Sequence, residues 1–367
     1  MKILSVFGTR PEAVKMAPIV KLLAQTAGVE SRVCVTAQHR QMLDQVLELF
    51  EIKPDYDLDL MREDQTMAQI SAGIFTHLDP ILADFNPDWV LAVGDTTTVV
   101  TTSLLAFYRK IKFGHIEAGL RTHNKWHPFP EEINRRLATV TADLHFAPTE
   151  WSQGNLLREG VDKKAIIVTG NSVIDALKFV SQQAVPEETK DILAKFGNKK
   201  IILVTAHRRE NFGKPLENIC YALKELASRE DVEVVYPVHL NPNVQEPVNR
   251  ILKNIPNITL LPPLDYLPLV HLMKHAVLIL TDSGGIQEEA PAFGIPTLVL
   301  RDVTERPEGV EAGTLKLVGT ETSTIVKEAK RLLEDKSAYA EMAKAVNPYG
   351  DGHAAGKIIN ALLSINA

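Results

Sequence analysis

The sequence predicts an α/β fold built from two doubly wound parallel sheets, and three observations carry that prediction. Short apolar runs, each the length of a buried strand, recur along all 367 residues. Between them lie stretches whose apolar residues repeat at helical spacing. The length suits about two domains, each with its own core. Alternation of this kind implies parallel strands joined by helices, with both faces of each sheet covered.

In the first half the strand-like runs are Ile3–Phe7, Arg32–Thr36, Trp89–Val93, Phe113–Glu117, Leu144–Ala147 and Ala165–Thr169. In the second they are Lys200–Thr205, Val232–Val238, Ile258–Leu261, Val277–Thr281, Pro296–Leu300 and Leu315–Val318. Gln41–Phe50 and Leu216–Ala227 exemplify the helical stretches between them. The boundary is expected between Gly170 and Lys199, a segment that includes the polar stretch Val185–Lys190. That gives a first domain of residues 1–171 plus 353–367 and a second of residues 172–352. A terminal helix at about Ala354–Ser364 follows the turn-rich Asn347–Gly352 and is expected to return to the first domain. Two such domains facing each other would gather the carboxyl ends of both sheets around one ligand cleft.

Composition narrows the class. Hydrophobic content of 45% and charged content of 23% are ordinary for a globular enzyme. With 40 basic against 46 acidic residues, the formal charge of −6 argues against a general nucleic-acid or membrane-surface binder. Cys34 and Cys220 stand in separate elements without metal-ligand spacing, which fits reduced, semi-buried thiols in a cytosolic protein. Met1–Phe7 begins a strand rather than a signal peptide, and no apolar run approaches the length of a membrane span. A soluble cytoplasmic protein is expected.

Chemistry-bearing residues cluster at the carboxyl ends of the expected strands. Ala276–Leu280 is followed by Thr281-Asp282-Ser283-Gly284-Gly285 and then a helix. Glycines allow close backbone approach, and the helix start offers N–H groups and positive dipole to a phosphate. Glu288 and Glu289, in the first turns, are placed to accept from ribose hydroxyls. A nucleotide diphosphate suits this arrangement.

After the first strand, Gly8 and Thr9 make a turn and Pro11 suits the first helical position. Arg10 and Lys15 read either as solvated surface charges or as anion ligands. A cation where the helix dipole disfavours it tilts the reading to anion binding. Asp95, in Gly94-Asp95-Thr96-Thr97, is a helix N-cap, a cleft carboxylate, or both; the motif does not choose. Glu131 and Glu132 read as first-turn acids, whereas Glu117 ends a buried strand, where a carboxylate is costly unless paired or used. Converging from adjacent loops, Asp95, Glu117 and Glu131 would raise one another's pKa and create acid–base pairs.

His207, flanked by Arg208 and Arg209, reads as an anion or sugar contact; His239 repeats the pattern more weakly. Arg306 either pairs with local acids or reaches the ligand. Gly350-Asp351-Gly352-His353-Ala354-Ala355-Gly356 mimics a dinucleotide fingerprint, but no strand precedes it. The sequence makes no case for a bound NAD, a P-loop or zinc, so no cofactor and no metal are expected.

Gly8–Glu12, Gln38–Arg40, Gly94–Thr97, His115–Arg121, Phe129–Glu132, His207–Glu210, Thr281–Glu289 and Thr304–Glu308 together resemble the bacterial non-hydrolysing UDP-N-acetylglucosamine 2-epimerases. The resemblance runs from Met1 to the terminal helix. It implies a GT-B architecture, two Rossmann-like domains with the UDP-sugar in the cleft between them. It also implies elimination of UDP across C1–C2 to a 2-acetamidoglucal, followed by re-addition with a proton delivered to the other face of C2. By that resemblance Asp95, Glu117 and Glu131 are the catalytic carboxylates, assisted by His207. Arg10, His207, Ser283, Gly284 and Gly285 would hold diphosphate and sugar. Glu289 would take the ribose, and Lys15 and Arg306 would complete the charge shell. Gln38, Gln41, Arg208 or Arg209, and His239 match a second UDP-GlcNAc site that activates bacterial members. Where relatives carry a basic residue before Gln65-Thr66 this chain has Asp64, and Arg62 would have to substitute. A homodimer is implied by the family alone. The competing readings are a related epimerase of another UDP-linked 2-acetamido sugar, a hydrolysing relative, a glycosyltransferase and a silent UDP-sugar sensor.

Overall fold

A computed structural model describes residues 1–37, 40–60, 62 and 64–365, with only the backbone of Gln41. The chain divides into two compact units, Met1–Ala176 with Tyr349–Ala367, and Leu177–Pro348.

The first unit holds a parallel sheet of β1 (Lys2–Phe7), β2 (Glu30–Val35), β3 (Tyr56–Asp57), β4 (Trp89–Val93), β5 (Lys112–Ile116), β6 (Leu144–Ala147) and β7 (Ile166–Val168), in the order β3-β2-β1-β4-β5-β6-β7. The second holds β8 (Lys200–Thr205), β9 (Val232–Pro237), β10 (Ile258–Leu261), β11 (Ala276–Thr281), β12 (Thr297–Val299) and β13 (Leu315–Leu317), in the order β10-β9-β8-β11-β12-β13. The expected fold class is therefore found, and each expected strand-like run contributes a strand. The strand that apolar patterning misses is β3, two residues long at a sheet edge and carrying one charge.

Burial explains why the runs were legible. Every residue of β4 is buried, as a central strand covered on both faces requires. Leu4, Val90, Phe113 and Leu78 pack into one core of the first unit, and Val204, Leu223, Val234 and Leu280 into one of the second. Each such side chain contributes roughly 1.5–3 kcal/mol on leaving water. Helices Arg40–Leu49 and Lys214–Leu226 fall where the helical period places them. The terminal helix Ala354–Ile365 packs against helix Arg10–Ala24 within the first unit. Among the described residues no helix is long and apolar enough to cross a membrane.

Strand order reverses between β1 and β4 in the first unit and between β8 and β11 in the second. In open α/β sheets ligands bind at the carboxyl ends of the strands beside such reversals. Arg10, Lys15 and Asp95 follow β1 and β4; His207 and Ser283 follow β8 and β11. Topology thus puts the residues singled out by sequence at the switch point of each sheet.

Candidate functional site

In the first unit the turn after β1 is closed from within. Thr9 caps helix Arg10–Ala24 in a capping box, accepting from the Glu12 N–H. Glu12 Oε2 accepts the N–H groups of Gly8 (2.9 Å) and Thr9 (2.7 Å), and its Oε1 accepts the Thr96 hydroxyl (2.6 Å). The sequence reading passed over Glu12, which looks like any first-turn acid. Burial pushes its carboxyl above the usual range, against the pull of those donors. The turn expected to hold an anion therefore has two of its N–H groups occupied by a side chain of its own helix.

Glu117 stands just beyond β5 with φ of +63°, a left-handed conformation rare for a residue with a side chain. It is 8% exposed. Its Oε1 accepts from Lys15 Nζ at 2.5 Å and from Asn171 Nδ2 at 2.9 Å. Lys15, expected in the anion-binding charge shell, is thus partnered with a carboxylate. Asn171 was not anticipated, because it lies 54 residues further along the chain.

Asp95 is not the N-cap of the helix after β4; Thr96 is, and helix Thr97–Tyr108 starts beyond it. The Asp95 carboxylate accepts instead from Arg135 Nη2 at 2.6 Å, and its carbonyl accepts from Asn134 Nδ2 at 3.0 Å. Both donors lie on helix Glu131–Thr141, and Glu131, four residues before Arg135, shares that face. Arg135 is buried and 3.5 Å from Glu132. Glu132 accepts the N–H groups of Thr122 (3.0 Å) and His123 (3.1 Å), holding the loop that leads into the helix. Asp95 and Glu117 therefore each meet a cation, where mutual repulsion among three carboxylates was expected.

Beneath this helix His115 and His145 pair across β5 and β6. Burial lowers the His115 imidazole to about 4 and His145 to about 3, so both are neutral at physiological pH. His115 Nε2 bonds the Gly94 carbonyl at 2.7 Å, tying β5 to the turn that carries Asp95.

In the second unit Asp282 plays the part that Glu12 plays in the first. Its Oδ2 accepts the N–H groups of His207 (2.9 Å) and Arg208 (2.8 Å) and Asn211 Nδ2 (3.0 Å). Its Oδ1, buried without a hydrogen bond among the described residues, lies 3.9 Å from His207 Nδ1. The His207 ring stacks on His239, centroids 5.3 Å apart. Arg208 approaches Glu305 at 3.6 Å, and Arg209 opens a short 3-10 turn, exposed.

Ser283 is the N-cap of helix Gly284–Glu289, without a side-chain capping bond among the described residues. A Cβ on Gly284 would come within 2.8 Å of the Arg306 guanidinium, so only glycine lets that cation lie across the helix start, while Gly285 faces open space. Arg306 Nε donates to Glu288 at 2.6 Å. Arg306 is thus paired with a local acid, and Glu288, one of the two acids expected near the ribose, with a cation. Glu289 is buried and accepts the Tyr266 hydroxyl at 2.9 Å. Burial raises the Glu305 carboxyl, but Arg301, Arg306 and Arg208 outweigh it and hold the group at about 2. Gln38 and the side chain of Gln41 lie outside the described residues. Arg62, the stand-in for the basic residue that Asp64 replaces, bonds locally to Gln65 and the Asp59 carbonyl.

Residues 21–363 match the family model described as UDP-N-acetylglucosamine 2-epimerase. The chain is 58% identical to the UDP-N-acetylglucosamine 2-epimerase of Yersinia pestis, covering 99% of this chain and 98% of the relative. Against the enzyme of that name from Escherichia coli K12 identity is 56% over the same shares. Among solved structures, the UDP-GlcNAc 2-epimerase of Neisseria meningitidis bound to UDP-GlcNAc superposes with a TM-score of 0.92 at 51% identity, covering 99% of this chain and 100% of that one. The Methanocaldococcus jannaschii UDP-GlcNAc 2-epimerase in complex with UDP-GlcNAc and UDP gives 0.82 at 32% identity, with the same coverage. With an identity above half sustained from end to end, this chain belongs to the UDP-N-acetylglucosamine 2-epimerase family.

Proposed function

We propose that this protein interconverts UDP-GlcNAc and UDP-ManNAc by eliminating and re-adding UDP. The observation that carries the reading is Glu117, a buried strand-end carboxylate in a left-handed conformation, held by Lys15 and Asn171 in a chain of this family. Strain of that kind persists where the surroundings over-determine it, and functional sites are where it collects.

The C2 proton of the sugar is not acidic enough for simple deprotonation. Loss of that proton therefore accompanies breaking of the C1–O bond to the diphosphate. The C–H electron pair becomes the C1=C2 double bond of 2-acetamidoglucal, and UDP leaves as an anion. Re-addition forms C1–O again and returns a proton to the opposite face of C2. Asp95, Glu117 and Glu131 are the acid–base groups, with His207 acting near the sugar–phosphate bond. Arg10, Ser283, Gly284, Gly285 and Arg306 meet the diphosphate. Glu289 accepts from the ribose while keeping Tyr266, and Lys15 acts through Glu117.

The two units are its working domains. A second UDP-GlcNAc, engaged by Gln38, Gln41, Arg208, Arg209 and His239, is the activator. A homodimer is the working form; its support is the apolar stripe Ile133, Leu137 and Val140 along helix Glu131–Thr141, with Val140 84% exposed. The buried, free Cys34 and Cys220, their thiols pushed up to about 12 by burial, suit the reducing cytoplasm. There the product would feed surface polysaccharide or teichoic-acid precursors.

The test is proton NMR of the purified protein with UDP-GlcNAc in D2O and no added cofactor. UDP-ManNAc carrying deuterium at C2 is the expected product. Free ManNAc with UDP would identify a hydrolase, and an unchanged spectrum would end the assignment of this substrate.

A further inference from the structure

We propose that Asn171 is a positioning residue for the reaction, holding the Glu117 carboxylate in its working orientation. The inference rests on the reading that Glu117 acts at C2 of the sugar.

The orientation of the Asn171 amide follows from its two contacts. Oδ1 accepts the Val173 N–H at 3.1 Å, at the start of helix Ser172–Ser181. Nδ2 is thereby turned toward Glu117, and donates to Oε1 at 2.9 Å. Lys15 Nζ reaches the same oxygen at 2.5 Å. Two donors arriving from different elements fix the plane of the carboxylate as well as its distance. Both are donors, so the setting is complementary to the charged form. The ideal Cβ position of Gly94 lies 3.4 Å from Oε2, so the second oxygen faces the turn that carries Asp95.

Asn171 is itself anchored more firmly than a loop residue needs to be. It is 3% exposed, and its N–H donates to the Tyr349 carbonyl at 2.7 Å. Here the chain leaving the first unit meets the chain returning to it. Gly170 (φ +86°) and Gly350 (φ +121°) touch at this crossing, where a Cβ on either would come within 3.2 Å of the other's Cα. One turn on, the Asp175 carboxylate accepts the N–H groups of Ala354 (3.1 Å) and Ala355 (3.0 Å), pinning the returning helix. The support behind Glu117 is therefore a crossing of two backbones.

Helix capping alone does not account for the residue. A cap needs only the side-chain oxygen, and Asp or Ser provides it as well as Asn does. What Asn alone adds is a donor on the other side of the same planar group. Replacing it with Asp keeps the shape and the cap but sets an acceptor against the Glu117 acceptor. Replacing it with Ser keeps a cap and removes the donor.

The experiment compares Asn171→Asp, Asn171→Ser and Glu117→Gln with the wild type, reading kcat and KM for epimerisation together with the melting temperature. Positioning predicts that Asn171→Asp lowers kcat by about 100-fold, the scale of a misplaced catalytic group. Asn171→Ser should lower it by about tenfold, the scale of one lost hydrogen bond to a charged group. KM should stay within about threefold in both, because UDP contacts are untouched. A pure capping role predicts the other order, with Asp equal to Asn, and that result overturns the inference. Should Asn171→Asp fail to fold, unchanged turnover in Asn171→Ser overturns it equally. Glu117→Gln separates the two levels: normal turnover there ends the reading of Glu117 itself. An impaired Glu117→Gln beside a fully active Asn171→Asp ends only the role of Asn171.

Discussion

Glu12 gives the most direct test of how the first unit builds its site. Its carboxylate takes two backbone N–H groups and the Thr96 hydroxyl, joining the turn after β1 to the one after β4. Glu12→Ala leaves three donors, one buried and two part-buried, without that acceptor and opens a cavity. Each stranded group costs about 1–3 kcal/mol, so a loss of roughly 3–5 kcal/mol is expected, the hydroxyl being able to turn elsewhere. Glu12→Gln is a different perturbation. Its amide oxygen replaces Oε2 before both N–H groups, and its Nε2 donates to Thr96 Oγ1, which turns from donor to acceptor. No group is stranded, and because burial already favours the uncharged acid, a loss of only about 1 kcal/mol is expected. The assay is urea unfolding followed by tryptophan fluorescence. Trp89, Trp126 and Trp151 are the protein's three tryptophans and all lie in the first unit, so the signal reports that unit selectively. Equal destabilisation by Gln and Ala would show that charge, rather than acceptor count, closes the turn. A loss under about 1 kcal/mol in Glu12→Ala would refute the closing role altogether.

The same fluorescence signal should reveal acid lability. His115, held to about 4 by burial, binds a proton in the unfolded chain near pH 6.5 but not in the folded one. The unfolded state thus holds more protons between those values, and stability falls as pH drops through the window. The loss is roughly 3 kcal/mol for His115, with His145 adding to it, and none accrues above about pH 6.5. Urea midpoints that stay level from pH 7 to 4.5 would refute the neutral pair. Asp282→Asn keeps an acceptor for His207 and Arg208 but turns a donor toward His207 Nδ1. Turnover should fall by about tenfold or more with little change in melting temperature, since the turn keeps its hydrogen bonds and only the charge 3.9 Å from His207 Nδ1 is lost; unchanged kcat would remove Asp282 from the support of His207. Leu137→Glu, on the exposed apolar stripe, should convert a dimer to monomer in light scattering, whereas an unchanged mass would place the interface elsewhere.

Fold and site were legible to different depths, for physical reasons. Parallel strands buried on both faces must be apolar throughout, so Trp89–Val93 and Ile201–Thr205 declare themselves, while Tyr56–Asp57 at an edge does not. Glu117 was legible because an unpartnered carboxylate at a buried strand end is improbable in itself. Its partners were not, since Lys15 lies 102 residues away and the β1-β4-β5 register brings the pair together. Nothing in the sequence singles out Arg135 on its polar helix; packing turns it onto Asp95. Glu12 and Asp282 stayed invisible because capping acids are common, and the backbone geometry they close has no composition of its own.

The two turn-closing carboxylates also bear on where the proposed diphosphate could be held. In dinucleotide-binding folds the N–H groups after the first strand cradle phosphate. Here Glu12 takes those of Gly8 and Thr9, and Asp282 takes those of His207 and Arg208. On the proposed reading, phosphate recognition then falls on side-chain cations and on the start of helix Gly284–Glu289. In the first unit Lys15, Arg135 and Arg121 are committed to Glu117, Asp95 and Glu159, leaving Arg10 without an ion pair to a described residue. In the second unit Arg208, Arg301 and Arg306 gather around Glu305, and Arg306 lies across Gly284 beside the open Gly285. Each of these arginines also has an acid to answer, Glu305 for all three, Glu210 for Arg301 and Glu288 for Arg306. In the first unit Glu117 meets Lys15, while Asp95 and Glu132 share Arg135. On the proposed reading, a diphosphate would therefore meet side-chain cations and a helix start rather than the backbone N–H groups of these two turns.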